Sequence, residues 1–201
     1  MKKKLFLYLG AVLILIAGFL TGMWIQQFVS QREAEQTVAV QKEVPIYFVE
    51  TDEKKVAVSF DAAWGCERTE KILAVLKKYN VQATFFLTNI WLEDYPEMAK
   101  KIADAGHEIA MHSVSHPHMS QISAEQVAQE LDGNRQMIVD ITGYQPELFR
   151  FPFGEYDNKS IDVVRSKGYY PIQWSIDTLD IKRIEAVSPD INRVHGYFYI
   201  T

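Results

Sequence analysis

From Lys54 onward the chain alternates short apolar, β-rich runs with amphipathic helical stretches, and this alternation is the tightest constraint on its fold. Strands are expected at Val56 to Asp61, Ala83 to Thr88, Glu108 to His112, Leu148 to Phe151 and Tyr170 to Ile176, each short and apolar enough to be covered on both faces. Between them Ile72, Val75, Leu76 and Tyr79 recur at helical spacing, as do Ala99, Ile102 and Ala103 ahead of a stop at Gly106. Ser123 followed by Gln126 has the form of a capping box, opening a long helix with the apolar face Val127, Leu131, Ile138 and Ile141. Ile161 and Val164 mark a last helix before Gly168. Strand and helix in strict succession predict an α/β domain built on a parallel sheet.

A different constraint governs the N-terminus. The run from Leu5 to Gln31 is uncharged, and its apolar part, to about Ile25, would span roughly 30 Å as a helix. Lys2, Lys3 and Lys4 precede it and no basic residue follows before Arg32, which predicts a cytoplasmic tip, a transmembrane anchor over residues 1–30, and an extracytoplasmic location for the rest. A cleaved leader is the rival reading, but its apolar region would be shorter and end at a small-x-small site; here the run continues through Met23, Trp24 and Ile25. Residues 31–53 lack a sustained period, contain Pro45 and read as a stalk, with Ile46 to Val49 as a candidate short strand. Setting the three lysines aside leaves 18 basic against 26 acidic side chains, a balance that excludes nucleic acid as a partner. Cys66 is the single cysteine, so the domain is held by its core and not by disulfides.

In parallel α/β folds the chemistry sits at the C-terminal ends of the strands, and the unusual residues fall there. Asp61 ends the first strand. His112 and His116 follow the third, Arg150 and the Pro152 turn the fourth, and Asp177 and Asp180 the fifth. Four-residue spacing lets His112 and His116 meet one ion, and imidazole suits Zn²⁺; the same cluster, with His107 and His118 beside it, also reads as a polar loop. An Asp at a strand end often only forms a turn, yet an Arg beside a buried carboxylate would keep it ionised and oriented. Neither an H-E-x-x-H helix nor a G-x-S-x-G elbow is present, which argues against a zincin protease or a serine hydrolase.

Taken in order, S-F-D-A-A-W-G, H-S-V-S-H-P, R-F-P-F-G-E-Y-D and W-S-I-D-T-L-D resemble the motifs of the polysaccharide deacetylases with NodB homology, over about residues 54 to 182, and in particular the anchored, sporulation-type members of spore-forming Gram-positive bacteria. The resemblance implies a distorted parallel (β/α) barrel and hydrolysis of an N-acetyl group on an amino sugar of a peptidoglycan or chitin-like glycan. It implies Asp61 as the base that activates water, His112 and His116 as ligands of Zn²⁺ or another divalent metal, and Arg150 as the residue that orients Asp61. The backbone around Pro152 and Phe153 would hold the oxyanion, Trp174 would line the sugar groove, and Asp180 would position a late histidine that protonates the leaving amine.

The chain departs from the family pattern at three places. The third metal ligand is usually an aspartate directly after the base, where this chain has Ala62; Asp61 itself, Glu67 or an extra water would have to complete the site. Position 181, usually Trp, is Ile181. The final motif, an apolar strand ending in the general-acid histidine, has no counterpart: His195 comes too early, and Lys182 to Thr201 lacks the upstream periodicity, so the deacetylase domain expected over 54–201 reads as truncated or altered after about residue 182. The alternative function is therefore a catalytically inactive, wall- or glycan-binding remnant of such an enzyme.

Overall fold

The computed structural model describes Gly10 and residues 15–29, 42–177 and 197–199, and the chain divides into two compact units, Met1–Gln41 and Lys42–Thr201. In the first unit residues 15–29 are helical, with Leu15, Phe19 and Trp24 exposed. Among the described residues no helix is long and apolar enough to cross a membrane. Much of the run expected to form the anchor lies outside the described residues.

The second unit carries the expected succession. Strands β1 (Ala57–Ala62), β2 (Thr84–Leu87), β3 (Glu108–Met111), β4 (Leu148–Phe149) and β5 (Tyr170–Pro171) are mutually parallel, and β6 (Tyr197–Tyr199) lies antiparallel to β1. The order β5-β4-β3-β2-β1-β6 makes the described sheet open, not a closed barrel. The expected parallel core is present, while ring closure is not seen among the described strands. The stretch expected to depart from the family pattern lies largely outside the described residues; only β6 of it is described, covering the outer edge of β1 from Ala57 to Ser59.

Helices α1 (Thr69–Tyr79), α2 (Asn89–Asp94), α3 (Pro96–Asp104), α4 (Ala124–Thr142) and α5 (Asn158–Ser166) flank the sheet. The capping box of α4 forms as its sequence predicts, with the Ser123 hydroxyl accepting from the Gln126 N–H. Val127, Leu131 and Ile138 of α4, Ala99 and Ile102 of α3, and Ile161 and Val164 of α5 are fully buried against Phe85, Leu87, Ile109, Met111 and Phe149. Burial of this kind is worth about 1.5–3 kcal/mol for each large side chain and outweighs weak local propensity. Helix α2 was not expected; it starts straight from β2, where the Thr88 hydroxyl accepts from the Trp91 N–H.

The fifth strand is shorter than its apolar run suggests. Tyr170 donates to the Glu147 carbonyl, just before β4, and Ile172 to the Phe149 carbonyl within it, so Pro171 turns its missing N–H away from β4, toward the sheet edge. That edge is occupied: the Ile46 N–H donates to Pro171, and the Gln173 N–H to Ile46. The compact unit thus begins at Lys42, within the segment whose composition suggests a stalk. Glu43 and Val44 are held by Arg165, and the Tyr47 hydroxyl meets that of Tyr156 at 2.9 Å.

Candidate active site

Strand alternation gives each parallel strand two faces. One face of the sheet, carrying Phe85, Leu87 and Met111, packs on the helices. The opposite face carries Ser59 and Asp61 from β1, Phe86 from β2 and Ala110 from β3, with Asp61, Phe86 and Ala110 in register. His112 and Arg150, the first residues beyond β3 and β4, join this face at its C-terminal rim.

Arg150 is fully buried. Its Nη1 donates to Asp61 Oδ1 at 2.5 Å, its Nη2 donates to the Ser59 hydroxyl at 3.0 Å, and its guanidinium lies 3.8 Å from the centre of the Phe86 ring. The fork therefore fixes one carboxylate oxygen and leaves Oδ2 turned toward His112, 3.9 Å from Nε2. His112 Nδ1 lies 2.8 Å from the Arg150 carbonyl oxygen, which can only accept; Nδ1 carries the proton and Nε2 keeps its lone pair. One arginine thus orients both groups, the carboxylate through its side chain and the imidazole through its backbone.

The ring of His116 stands 5.0 Å from that of His112, centre to centre, and its buried Nδ1 has no hydrogen-bond partner. Burial, and then the neighbouring His112, push His116 down to about 4; burial likewise lowers His112, opposed by Asp61. Both imidazoles are neutral at pH 7, the form that binds metal. Exposed aromatics border them: Trp64 meets His116 edge-on at 5.0 Å and Phe153 does so at 4.6 Å, while His118 stacks on Phe153 at 4.3 Å and holds Glu155 at 2.6 Å.

Of the residues singled out in the sequence, Asp61, His112, His116 and Arg150 come together. Pro152 is buried beneath the rim, and Phe153 stands at it with a left-handed backbone (φ 59°). Trp174 packs on Gly154, where an added Cβ would come within 2.7 Å of the indole, and lies 5.8 Å from the Arg150 guanidinium. Asp180 and His195 lie outside the described residues. Ser59, Phe86, Asn89, Glu130 and Asn134 were missed. Ser59 is legible in retrospect, since it lies two residues before Asp61 and so on the same strand face.

The histidine pair suits a divalent metal by donor chemistry, by its neutral state and by the orphaned Nδ1 of His116. The donor set is nonetheless small. Ala62 packs toward the core in register with Leu87, and among the described residues no three His, Cys, Asp or Glu side chains form a group that could hold an ion.

Comparison with known proteins bears directly on this constellation. Residues 48–172 match the family model for polysaccharide deacetylase. The chain is 34% identical over 132 residues to a peptidoglycan-N-acetylglucosamine deacetylase of Bacillus cereus, covering 66% of this chain and 48% of that one. It is also 34% identical over 144 residues to a peptidoglycan-N-acetylmuramic acid deacetylase of Bacillus subtilis, covering 71% and 55%. Among solved structures it is similar to a CE4 family pseudoenzyme from Bacillus anthracis, 31% identical with a TM-score of 0.69, covering 78% of this chain and 57% of that one. The chain spans about half the length of the curated relatives it matches. Since the matched stretch contains Asp61, His112, His116 and Arg150 and takes in well over half of the sequence, the chain belongs to the polysaccharide deacetylase family.

Proposed function

We propose that this chain removes N-acetyl groups from amino sugars of a cell-wall glycan in a metal-dependent reaction. The observation that carries the reading is the double use of Arg150, whose side chain holds Asp61 and whose carbonyl sets the His112 tautomer. Asp61, with Oδ2 directed at the site, takes the proton of the attacking water. His112 and His116 would hold a divalent metal, Zn²⁺ by donor type, which when bound polarises the acetamide carbonyl. The Phe153 backbone N–H is the candidate donor to the developing oxyanion. Water adds to the carbonyl carbon, the C–N bond breaks, and the proton taken by Asp61 goes to the leaving nitrogen, so that acetate and a free amine are formed. Trp64, Phe153 and Trp174 offer rings on which sugar faces can pack. Peptidoglycan is the favoured substrate class, because the similar proteins of Bacillus cereus and Bacillus subtilis are peptidoglycan deacetylases.

The same reading places the domain outside a cell membrane, tethered by residues 1–30. Its support is the uncharged run from Leu5 to Gln31 behind three lysines.

A second reading, a glycan-binding protein without turnover, is favoured by Ala62 at a position where the family carries a metal-ligating aspartate. The similarity to a pseudoenzyme structure supports it further. Zinc binding separates the two. In a chelator competition titration the wild-type chain is expected to bind one zinc ion, and His112→Ala to lose at least about tenfold in affinity. Equal, negligible binding by both would favour the silent protein.

A further inference from the structure

The segment His112 to His116 presents five consecutive backbone N–H groups, and side chains accept from all of them. Asn134 Oδ1 accepts from His112 at 2.8 Å and from Ser113 at 3.1 Å. Glu130 Oε2 accepts from Val114 and Ser115 at 2.8 Å each, and its Oε1 accepts from the Ser115 hydroxyl at 2.7 Å. The Ser113 hydroxyl accepts from the His116 N–H at 3.0 Å. Ser113 and His116 both have left-handed backbones, at φ 82° and φ 55°, which L residues adopt only where their surroundings compel it.

Helix α4 is built for this contact. Glu130 and Asn134 are four residues apart and so lie on one face. Gly133 is a poor helix former in a helix interior, but a Cβ there would come within 2.9 Å of Val114 Cγ2. Asn134 is fully buried and anchored in turn, its Nδ2 donating to the Leu87 carbonyl at 3.0 Å and to Asn89 Oδ1 at 2.8 Å.

We propose that Glu130 and Asn134 are positioning residues that hold the His112–His116 segment in the shape that lets both imidazoles face one ion. The proposal rests on the reading of those histidines as metal ligands. Glu130 is the residue to test, because it is only half-buried and alanine is a good helix former.

The experiment compares the wild-type full chain with Glu130→Ala and Glu130→Gln, using zinc as the probe in a chelator competition titration, with amide hydrogen exchange and thermal melting alongside. Glu130→Ala is expected to weaken zinc binding by about 10- to 100-fold and to deprotect the Val114 and Ser115 amides, with the melting temperature nearly unchanged. Glu130→Gln keeps an acceptor oxygen and is expected to retain affinity within roughly threefold. Unchanged affinity and unchanged exchange in Glu130→Ala would overturn the proposal. So would an equal loss in both variants. If Glu130→Ala melts early, Ser115→Ala, which removes only the hydroxyl contact, together with Glu130→Gln decides the matter on the same scale. If the wild-type chain holds no zinc, the metal reading is what fails, and exchange at Val114 and Ser115 alone decides whether Glu130 shapes the segment.

Discussion

Replacing Arg150 by alanine is expected to destabilise the domain by about 3–5 kcal/mol, because it removes one partner of an ion pair shielded from solvent. Arg150 is fully buried and the Asp61 side chain is 15% exposed, so the carboxylate left behind would keep little hydration and no counter-charge in its present position. Ser59 would lose a hydrogen-bond donor and the Phe86 ring its packed guanidinium. Urea denaturation measures the loss as a lower midpoint at constant slope. Arg150→Lys keeps the charge but not the fork, and is expected to fall between the two. A loss below about 1 kcal/mol for Arg150→Ala, the range of exposed pairs, would mean that solvent reaches Asp61 far more freely than this packing allows.

Asp61→Asn should have the largest effect on turnover, and it also costs stability, because the fully buried Arg150 guanidinium loses its counter-charge. The amide oxygen can still accept from Arg150 Nη1, so the buried guanidinium keeps its contact. What the variant cannot do is take a proton. Loss of a positioned general base lowers rates by about 10²- to 10⁴-fold, and acetate release by Asp61→Asn, measured well below its lowered melting temperature, is expected to fall within that range. Activity within a few-fold of wild type would remove Asp61 from the base role.

The alternation that defines the sheet was legible because each strand is a short, largely apolar run; β1 to β4 begin within one residue of their expected starts. What the sequence hid has physical reasons. Helix α2 has six residues, too few for a helical period to stand out, and its N-cap is the end of a strand. Residues 43–47 look like linker because their contacts are hydrogen bonds to Pro171, Asn158, Arg165 and Tyr156, which leave no apolar period. Strand periodicity shows the parallel sheet but not its curvature or closure, and the barrel was expected only from the family resemblance. In the site, the strand-end rule located Asp61, His112 and Arg150 together. Asn134 escaped because it interrupts the stripe of Val127, Leu131 and Ile138, and an interruption reads as noise until its partners are seen. A polar residue in the middle of an apolar helix face is the signal to follow, since burial without partners would be costly.

Acetate released from purified peptidoglycan by the full chain, with added zinc and with chelator, tests the central claim most directly. The account predicts release that rises with zinc and is abolished by chelator. A folded chain that binds the glycan yet releases no acetate at any zinc concentration would contradict it, and would establish the silent, glycan-binding reading.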